Sequence, residues 1–187
     1  MKFATMGWSK TTTLAVGPYQ TSNIVAVKEQ KPPRDFDIRD IIETGHVNVV
    51  KLQDAYFWNS VCYLVYEKMD ITLEQFCTYV RIEDLHVATV SREALSGLSY
   101  IYDELKCSYH GNLYYNLFLT FSGVVKIGNV GESMIGGTGE DYDKMNMAGV
   151  GTLILHMVQP GTVFLNPGRR SLVHHIGIKK VDQKESL

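Results

Sequence analysis

Three asparagines, one histidine and one lysine are the side chains of this 187-residue chain whose types and spacing bear on chemistry. His110, Asn112 and Asn116 stand in the stretch Tyr109 to Leu119, and Asn129 opens Asn129-Val130-Gly131 shortly after it. Lys28 ends an apolar run, Ser22 to Lys28. A carboxamide donates and accepts hydrogen bonds but carries no charge. Asn112 therefore has no useful basicity at neutral pH and cannot take a proton from a hydroxyl. Asn129 offers a neutral carbonyl, whereas a hard cation such as Mg²⁺ prefers a carboxylate. His110 has no evident carboxylate neighbour and reads as a core histidine that shapes its loop. His174 and His175 are adjacent, so in regular structure they point different ways and make no metal pair.

These residues need elements to hold them. Leu117 to Leu119 and Val124 to Ile127 are short apolar runs joined through Ser122-Gly123, which predicts a β-hairpin carrying both asparagine loops. Earlier in the chain, Thr11 to Val16 and Ser22 to Lys28 read as strands around a Gly17-Pro18 turn. Asp35 to Thr44 reads as a short helix with Phe36, Ile38, Ile41 and Ile42 on its apolar face, stopped by Gly45. Val47 to Leu52 and Val61 to Glu67 read as strands, connected by Asp54 to Ser60. Thr72 and Gln75 form a capping box that starts a short helix. Ile82 to Leu105 gives the strongest helical pattern, with Val87, Val90, Ala94, Leu98, Ile101 and Leu105 on one face. Ile135 to Gly139 reads as a flexible link. Asn146 to Val158 reads as a buried helix that Pro160-Gly161 ends.

Composition excludes several classes. Apolar residues make up 45% and charged residues 20%, the balance of an ordinary globular domain. A net charge of −2 gives no basic field for nucleic acid. Three scattered cysteines outside any C-x-x-C favour a reduced setting over disulfides or zinc. No apolar leader opens the chain. The longest apolar run, Met147 to Val158, is too short to span a bilayer and contains His156. No membrane is expected as a partner, and the expected location is the cytoplasm or nucleus. The end, Arg169 to Leu187, carries five Lys/Arg against Asp182 and Glu185 and reads as a solvated, mildly basic tail.

Order and spacing add a resemblance. His110-Gly111-Asn112-Leu113 with Asn116 resembles the H-R-D-L catalytic loop of protein kinases, and Asn129-Val130-Gly131 resembles their D-F-G metal loop. Val25-Ala26-Val27-Lys28 resembles the V-A-I-K strand, His46-Val47-Asn48-Val49-Val50 the H-P-N-I-V segment, and Leu64 to Met69 the strand and hinge. Arg92 to Tyr102 and Asn146 to Gly151 resemble two helices of the larger lobe. More narrowly, H-G-N-L and K-I-G-N resemble degenerate kinase-like proteins of filamentous fungi. The resemblance implies an α+β, two-lobed fold over residues 11–161. The N-lobe β-sheet, about 11–69, would be reduced. The helical C-lobe, about 70–161, would be truncated, with a tail at 162–187. It also implies a nucleotide cleft of Lys28, Tyr66 as gatekeeper, backbone groups of Glu67 and Met69, Asn116 and Asn129.

The departures from that pattern coincide with the chemistry. Asn112 and Asn129 stand where the family has aspartates, and Asn146 stands where a third aspartate braces the loop. Only Gly17 precedes Lys28 where a glycine-rich phosphate loop is expected. The acid that should pair with Lys28 maps near Asp37, so Lys28 is expected either to pair with Asp37 or to touch nucleotide. Tyr114-Tyr115 replace a basic residue and are expected to fill the vacant cleft. No A-P-E follows, and the chain beyond Gly161 is too short for the last helices of the family's C-lobe. The implied function is a pseudokinase: a kinase-shaped module for a protein partner or for self-association, without phosphoryl transfer. No metal and no obligate cofactor are expected, and ATP is left open as a ligand. The alternative is an unconventional kinase or ATP-binding protein with substitute carboxylates from Glu132, Glu140, Asp141 or Asp143. A third reading is a truncated product whose Met147, Leu153, Ile154 and Leu155 lack cover.

Overall fold

A computed structural model describes residues 12–16, 24–136 and 142–159. Strands β1 (Thr12–Val16), β2 (Ile24–Gln30), β3 (Leu52–Trp58) and β4 (Val61–Glu67) form an antiparallel sheet in the order β1-β2-β4-β3. Alternation explains the centre of that sheet. Along β4, Cys62, Leu64 and Tyr66 are fully buried and their neighbours are half-exposed. A second sheet of three short strands follows: β5 (Ile71–Thr72), β6 (Leu117–Leu119) and β7 (Val125–Ile127).

The helices are α1 (Leu73–Tyr79), α2 (Asp84–Asp103), α3 (Leu113–Asn116), α4 (Val130–Gly136) and α5 (Tyr142–Val158). The expected capping box is present: Gln75 N–H donates to Thr72 Oγ1 at 3.1 Å, and Thr72 N–H donates to Gln75 Oε1 at 3.2 Å. In α2 the expected stripe is the buried one, with Val90, Ala94, Leu98 and Ile101 inward. It packs against α5 and β7. The hairpin between β6 and β7 forms as predicted, closed by Gly123 N–H donating to Thr120 O at 2.9 Å. The result is a mixed α+β arrangement with small antiparallel sheets, consistent with a reduced kinase-like fold.

Several expectations fail locally. Asp35 to Thr44 is not a helix; only Ile38–Asp40 makes a 3-10 turn. Asp37 takes Arg39 as its partner, through backbone and guanidinium bonds of 2.8 to 3.0 Å, and caps that turn. After that turn the chain brings Thr44 to Leu52, with which it makes two hydrogen bonds, and to Val50, with which it makes one. Val47 to Leu52 is not a strand beyond a single parallel bridge, Val49 to Ile127. The strand lies later, over residues first read as a connection, and the turn is only Asn59-Ser60, both at positive φ (49° and 62°). Helix α5 starts at Tyr142, four residues before the expected Asn146. The Gly17-Pro18 turn, Glu140, Asp141, Pro160-Gly161 and the tail with Arg169, Arg170, His174 and His175 lie outside the described residues. Among the described residues no helix is long and apolar enough to cross a membrane.

Two buried cores result. The larger joins α2, α3, α5 and the second sheet around Leu73, Ile101, Leu117, Ile127 and Leu153. The smaller gathers Ala26, Val50, Leu52, Leu64 and Tyr66 beneath the first sheet. Val49 belongs to the first and its neighbour Val50 to the second.

That junction is stitched to β7. Val50 N–H donates to Ile127 O and Ile127 N–H to Asn48 O, each at 2.8 Å. The Asn48 amide donates to Val125 O at 3.0 Å and to Glu93 at 3.2 Å. Helix α2 approaches this stitch so closely that only glycine fits at Gly97. A Cβ there would lie 2.6 Å from the Asn48 carbonyl oxygen and 2.9 Å from Ile127 Cδ1. Replacing glycine by alanine gains about 1 kcal/mol of helix propensity. Overpacking against a backbone oxygen that cannot yield costs about 1–3 kcal/mol, sometimes more. Gly97→Ala is therefore expected to lower stability despite its better helix propensity, read as a lower urea midpoint at unchanged slope.

Candidate functional site

The two asparagine loops meet through their side chains. Asn112 caps α3: its Oδ1 accepts from Tyr114 N–H at 3.0 Å. Its carbonyl oxygen accepts from Asn116 Nδ2 at 2.8 Å. Asn116 Oδ1 in turn accepts from Asn129 Nδ2. Below this chain of amides, Gly128 N–H donates to Asn116 O at 2.8 Å, and Tyr109 donates its hydroxyl proton to Gly128 O at 3.0 Å. Asn129 sits in the left-handed region at φ 63°, which asparagine tolerates better than most residues. All three asparagines thus hold the loops to one another.

Lys28 finds a partner that the sequence reading did not assign to it. Its ammonium forms an ion pair with Glu132, not with Asp37. The Arg39 guanidinium holds the Asp37 carboxyl down to about 2, so that acid is already engaged. Glu132 reaches Lys28 because the residues after Asn129 turn at once into α4. Tyr66 fixes the start of that helix by accepting from Gly131 N–H at 3.0 Å. Burial, with the charge of Glu132 nearby, pushes the Tyr66 phenol well above its ordinary value and keeps it protonated. A helix at this point was not read from the sequence. Its signal was the spacing of Val130, Met134 and Ile135, hidden by the glycines that follow.

Lys28 and Asn129 are both buried. Lys28 is 7% exposed and Asn129 8%. Ala26, Tyr66, Met69, Phe118 and Ile135 form one buried cluster. Phe118 lies over the backbone of Gly128, where a Cβ would collide with its ring. Ala26, Phe118 and Met69 in that cluster are 0%, 2% and 4% exposed. Glu67 looks elsewhere. Its carboxylate accepts from Lys51 N–H at 2.8 Å and from Lys126 at 2.6 Å, and its N–H donates to Lys51 O at 2.9 Å. Two surface depressions, one around Glu43, Lys51, Glu67 and Lys126 and one around Tyr100 and Asp103, include none of Lys28, Tyr66, Met69, Asn116 or Asn129.

Tyr114 and Tyr115 do not fill the cleft as expected. Tyr114 is buried toward α5, its ring stacked on His156 at 4.7 Å, and Tyr115 is half exposed. Both tyrosine rings meet His156 of α5, Tyr115 edge-on at 6.5 Å. Of the substitute carboxylates, the described residues include the side chain of Glu132 alone. Glu132 is taken by Lys28, and the side chain of Asp143 lies outside them, as do Glu140, Asp141 and the side chain of Asn146. Among the described residues no group of three His, Cys, Asp or Glu stands close enough to hold a metal ion. Burial pushes the Cys107 thiol up to about 11, so it is no nucleophile at neutral pH.

Two outcomes follow from this geometry. Tyr66→Phe strips the acceptor from the buried Gly131 N–H, and leaving such a donor unmet costs about 1–3 kcal/mol; the check is chemical denaturation. The backbone N–H of His110 donates to Ser133 Oγ at 3.1 Å, and burial lowers the pKa of its ring below 6.5. The folded state therefore binds its proton more weakly than the unfolded chain. Its contribution is complete above the unfolded value and declines as pH falls from there through the folded value. His110→Gln is expected to flatten that part of the stability–pH profile, measured by thermal melting from pH 7.5 to about 5.

No family model matches the chain. It is similar to a MAP kinase kinase kinase, mkh1 of Schizosaccharomyces pombe (strain 972 / ATCC 24843), at 29% identity over 159 residues. That alignment takes in 70% of this chain and 14% of the yeast protein, so the chain spans a small part of that relative. The similarity indicates a distant kinase-like relationship.

Proposed function

We propose that this chain is a kinase-shaped binding module that does not transfer phosphoryl groups. The observation that carries the reading is the closed cleft. Lys28, Asn112, Asn116 and Asn129, the residues that would have to face a nucleotide and metal, are all engaged within the protein. Phosphoryl transfer depends on positioning and on charge stabilisation around Mg²⁺ and the γ-phosphate. Here the groups at the loop positions are neutral amides, and the cation is matched by Glu132.

The function assigned is recognition of a protein partner or of a second copy. Support comes from apolar surface at two places. Tyr56, Phe57 and Trp58 are 56%, 52% and 67% exposed on the edge strand β3, and an edge presents unpaired backbone groups. Leu155 and Val158 are exposed on α5. The site of action proposed is the cytoplasm or nucleus, in keeping with the free thiols of Cys62, Cys77 and Cys107.

Purified protein incubated with radiolabelled ATP, divalent cation and broad protein substrates is expected to label nothing above background. Labelling that disappears in Lys28→Met would end this reading. An elution volume that shifts with protein concentration would assign the binding to self-association.

A further inference from the structure

We infer that the partner is a second copy of this chain, joined edge to edge through β3 about a two-fold axis at Tyr56. The inference rests on the reading above, because it names the partner of that same edge.

The free part of this edge is short and bounded at both ends. Strand β3 has β4 on one side and no described strand on the other. At its start Leu52 is already covered: its N–H donates to Thr44 Oγ1 at 2.7 Å, and its carbonyl accepts from Thr44 N–H at 3.3 Å. At its end the turn begins with Asn59 at positive φ. Trp58 and Val61 flank that two-residue turn, so their backbone groups face each other. Alternation then turns the backbone groups of Ala55 and Phe57 outward. The Ala55 N–H agrees with this, since it donates not to β4 but to Asp54 Oδ1 at 2.8 Å. Two outward residues with Tyr56 between them define one antiparallel pairing. Ala55 exchanges both backbone bonds with Phe57 of the second copy, and Phe57 does the same with Ala55. Moving the axis one residue back sets Trp58 of the second copy against Leu52, where Thr44 already lies. Moving it one residue forward runs the ladder into the turn.

The side chains match in that register. Tyr56, Trp58 and Asp54 share the solvent face, while Ala55 and Phe57 lie on the face of the buried Leu64 and Cys62. Tyr56 meets its own counterpart, and Trp58 lies opposite Asp54 of the second copy, an indole N–H beside a carboxylate. The large Phe57 lies opposite the small Ala55, and no two like charges are opposed. Asp54 now accepts from both Ala55 N–H and the Tyr56 hydroxyl. On pairing it yields the amide to the carbonyl of Phe57 and takes the indole N–H. The three aromatics, each more than half exposed, offer roughly 300–400 Å² per protomer. Two such surfaces with their backbone come close to the threshold of about 1,000 Å² for a specific interface, so the dimer is weak and concentration-dependent.

The test is sedimentation over a range of concentrations for wild type, Tyr56→Lys and Tyr56→Glu. On the axis each new charge meets itself, so either variant alone is expected to dimerise ~10-fold more weakly than wild type. Mixed together, the two place opposite charges on the axis, and association is expected to return. A wild type that stays monomeric at every concentration overturns the inference. So do single variants that associate as wild type does, or a mixture that fails to recover. Because the variants can fail to fold, hydrogen exchange is followed in wild type as concentration is raised. The amides of Ala55 and Phe57 are expected to slow, while those of Tyr56 and Trp58, already bonded to β4, stay as they were. Unchanged exchange at Ala55 and Phe57 also overturns the inference. Phosphoryl transfer by wild type would sink the binding-module reading instead and leave the dimer standing.

Discussion

The segment Asn48-Val49-Val50 is the constraint on which the rest depends. Its backbone pairs with Ile127 on both sides, and its two valines point into different cores. A side-chain slip by one residue would exchange those valines and put each in the wrong core. Glu93 guards the register, accepting from both Asn48 Nδ2 and Val125 N–H, the latter at 2.8 Å. Everything in the cleft inherits this alignment. Strand β7 leads directly to Gly128 and Asn129, so the position of Asn129 is set by where Ile127 is tied.

From that anchor the closed cleft follows as a balance of modest terms. Burying an aromatic such as Phe118 is worth about 1.5–3 kcal/mol. The amide chain Asn112–Asn116–Asn129 adds neutral hydrogen bonds of about 0.5–1.5 kcal/mol each. The Lys28–Glu132 pair contributes less to net stability than its closeness suggests, since both groups lose water. Its larger effect is on specificity: with Lys28 buried, only a conformation that supplies an anion is tolerated. Neutral amides suit this arrangement. Aspartates at 112 and 129 would place two anions in the loops that already lie beside Glu132, and one or more would need a cation to match it.

Much of this architecture was legible in the chain. The capping box at Thr72, the stripe of α2, the hairpin around Gly123 and the alternation of β4 all rest on contacts within a few residues, where periodicity and turn chemistry decide. The 35–44 segment misled because its isoleucines have helical spacing. The backbone there instead met Val50 and Leu52, whose pairing with Thr44 outweighs a marginal propensity. The two tyrosines after Asn112 misled for a similar reason. Their types suggested filling a gap, but the cap on α3 aims Tyr114 at His156.

By itself, the sequence determined the chemistry that each position can offer. Asn112, Asn116 and Asn129 are neutral wherever they are placed, and Lys28 is a cation in need of an anion. What only the tertiary structure decided is which groups meet. Asp37 and Glu132 are both acids that could answer Lys28, and their identities do not separate them. The choice falls to Glu132 because Arg39 captures Asp37 locally, while the tie at Ile127 starts α4 directly under the sheet. Pairings between residues 104 positions apart depend on where the backbone is anchored, and no local pattern along the chain encodes that.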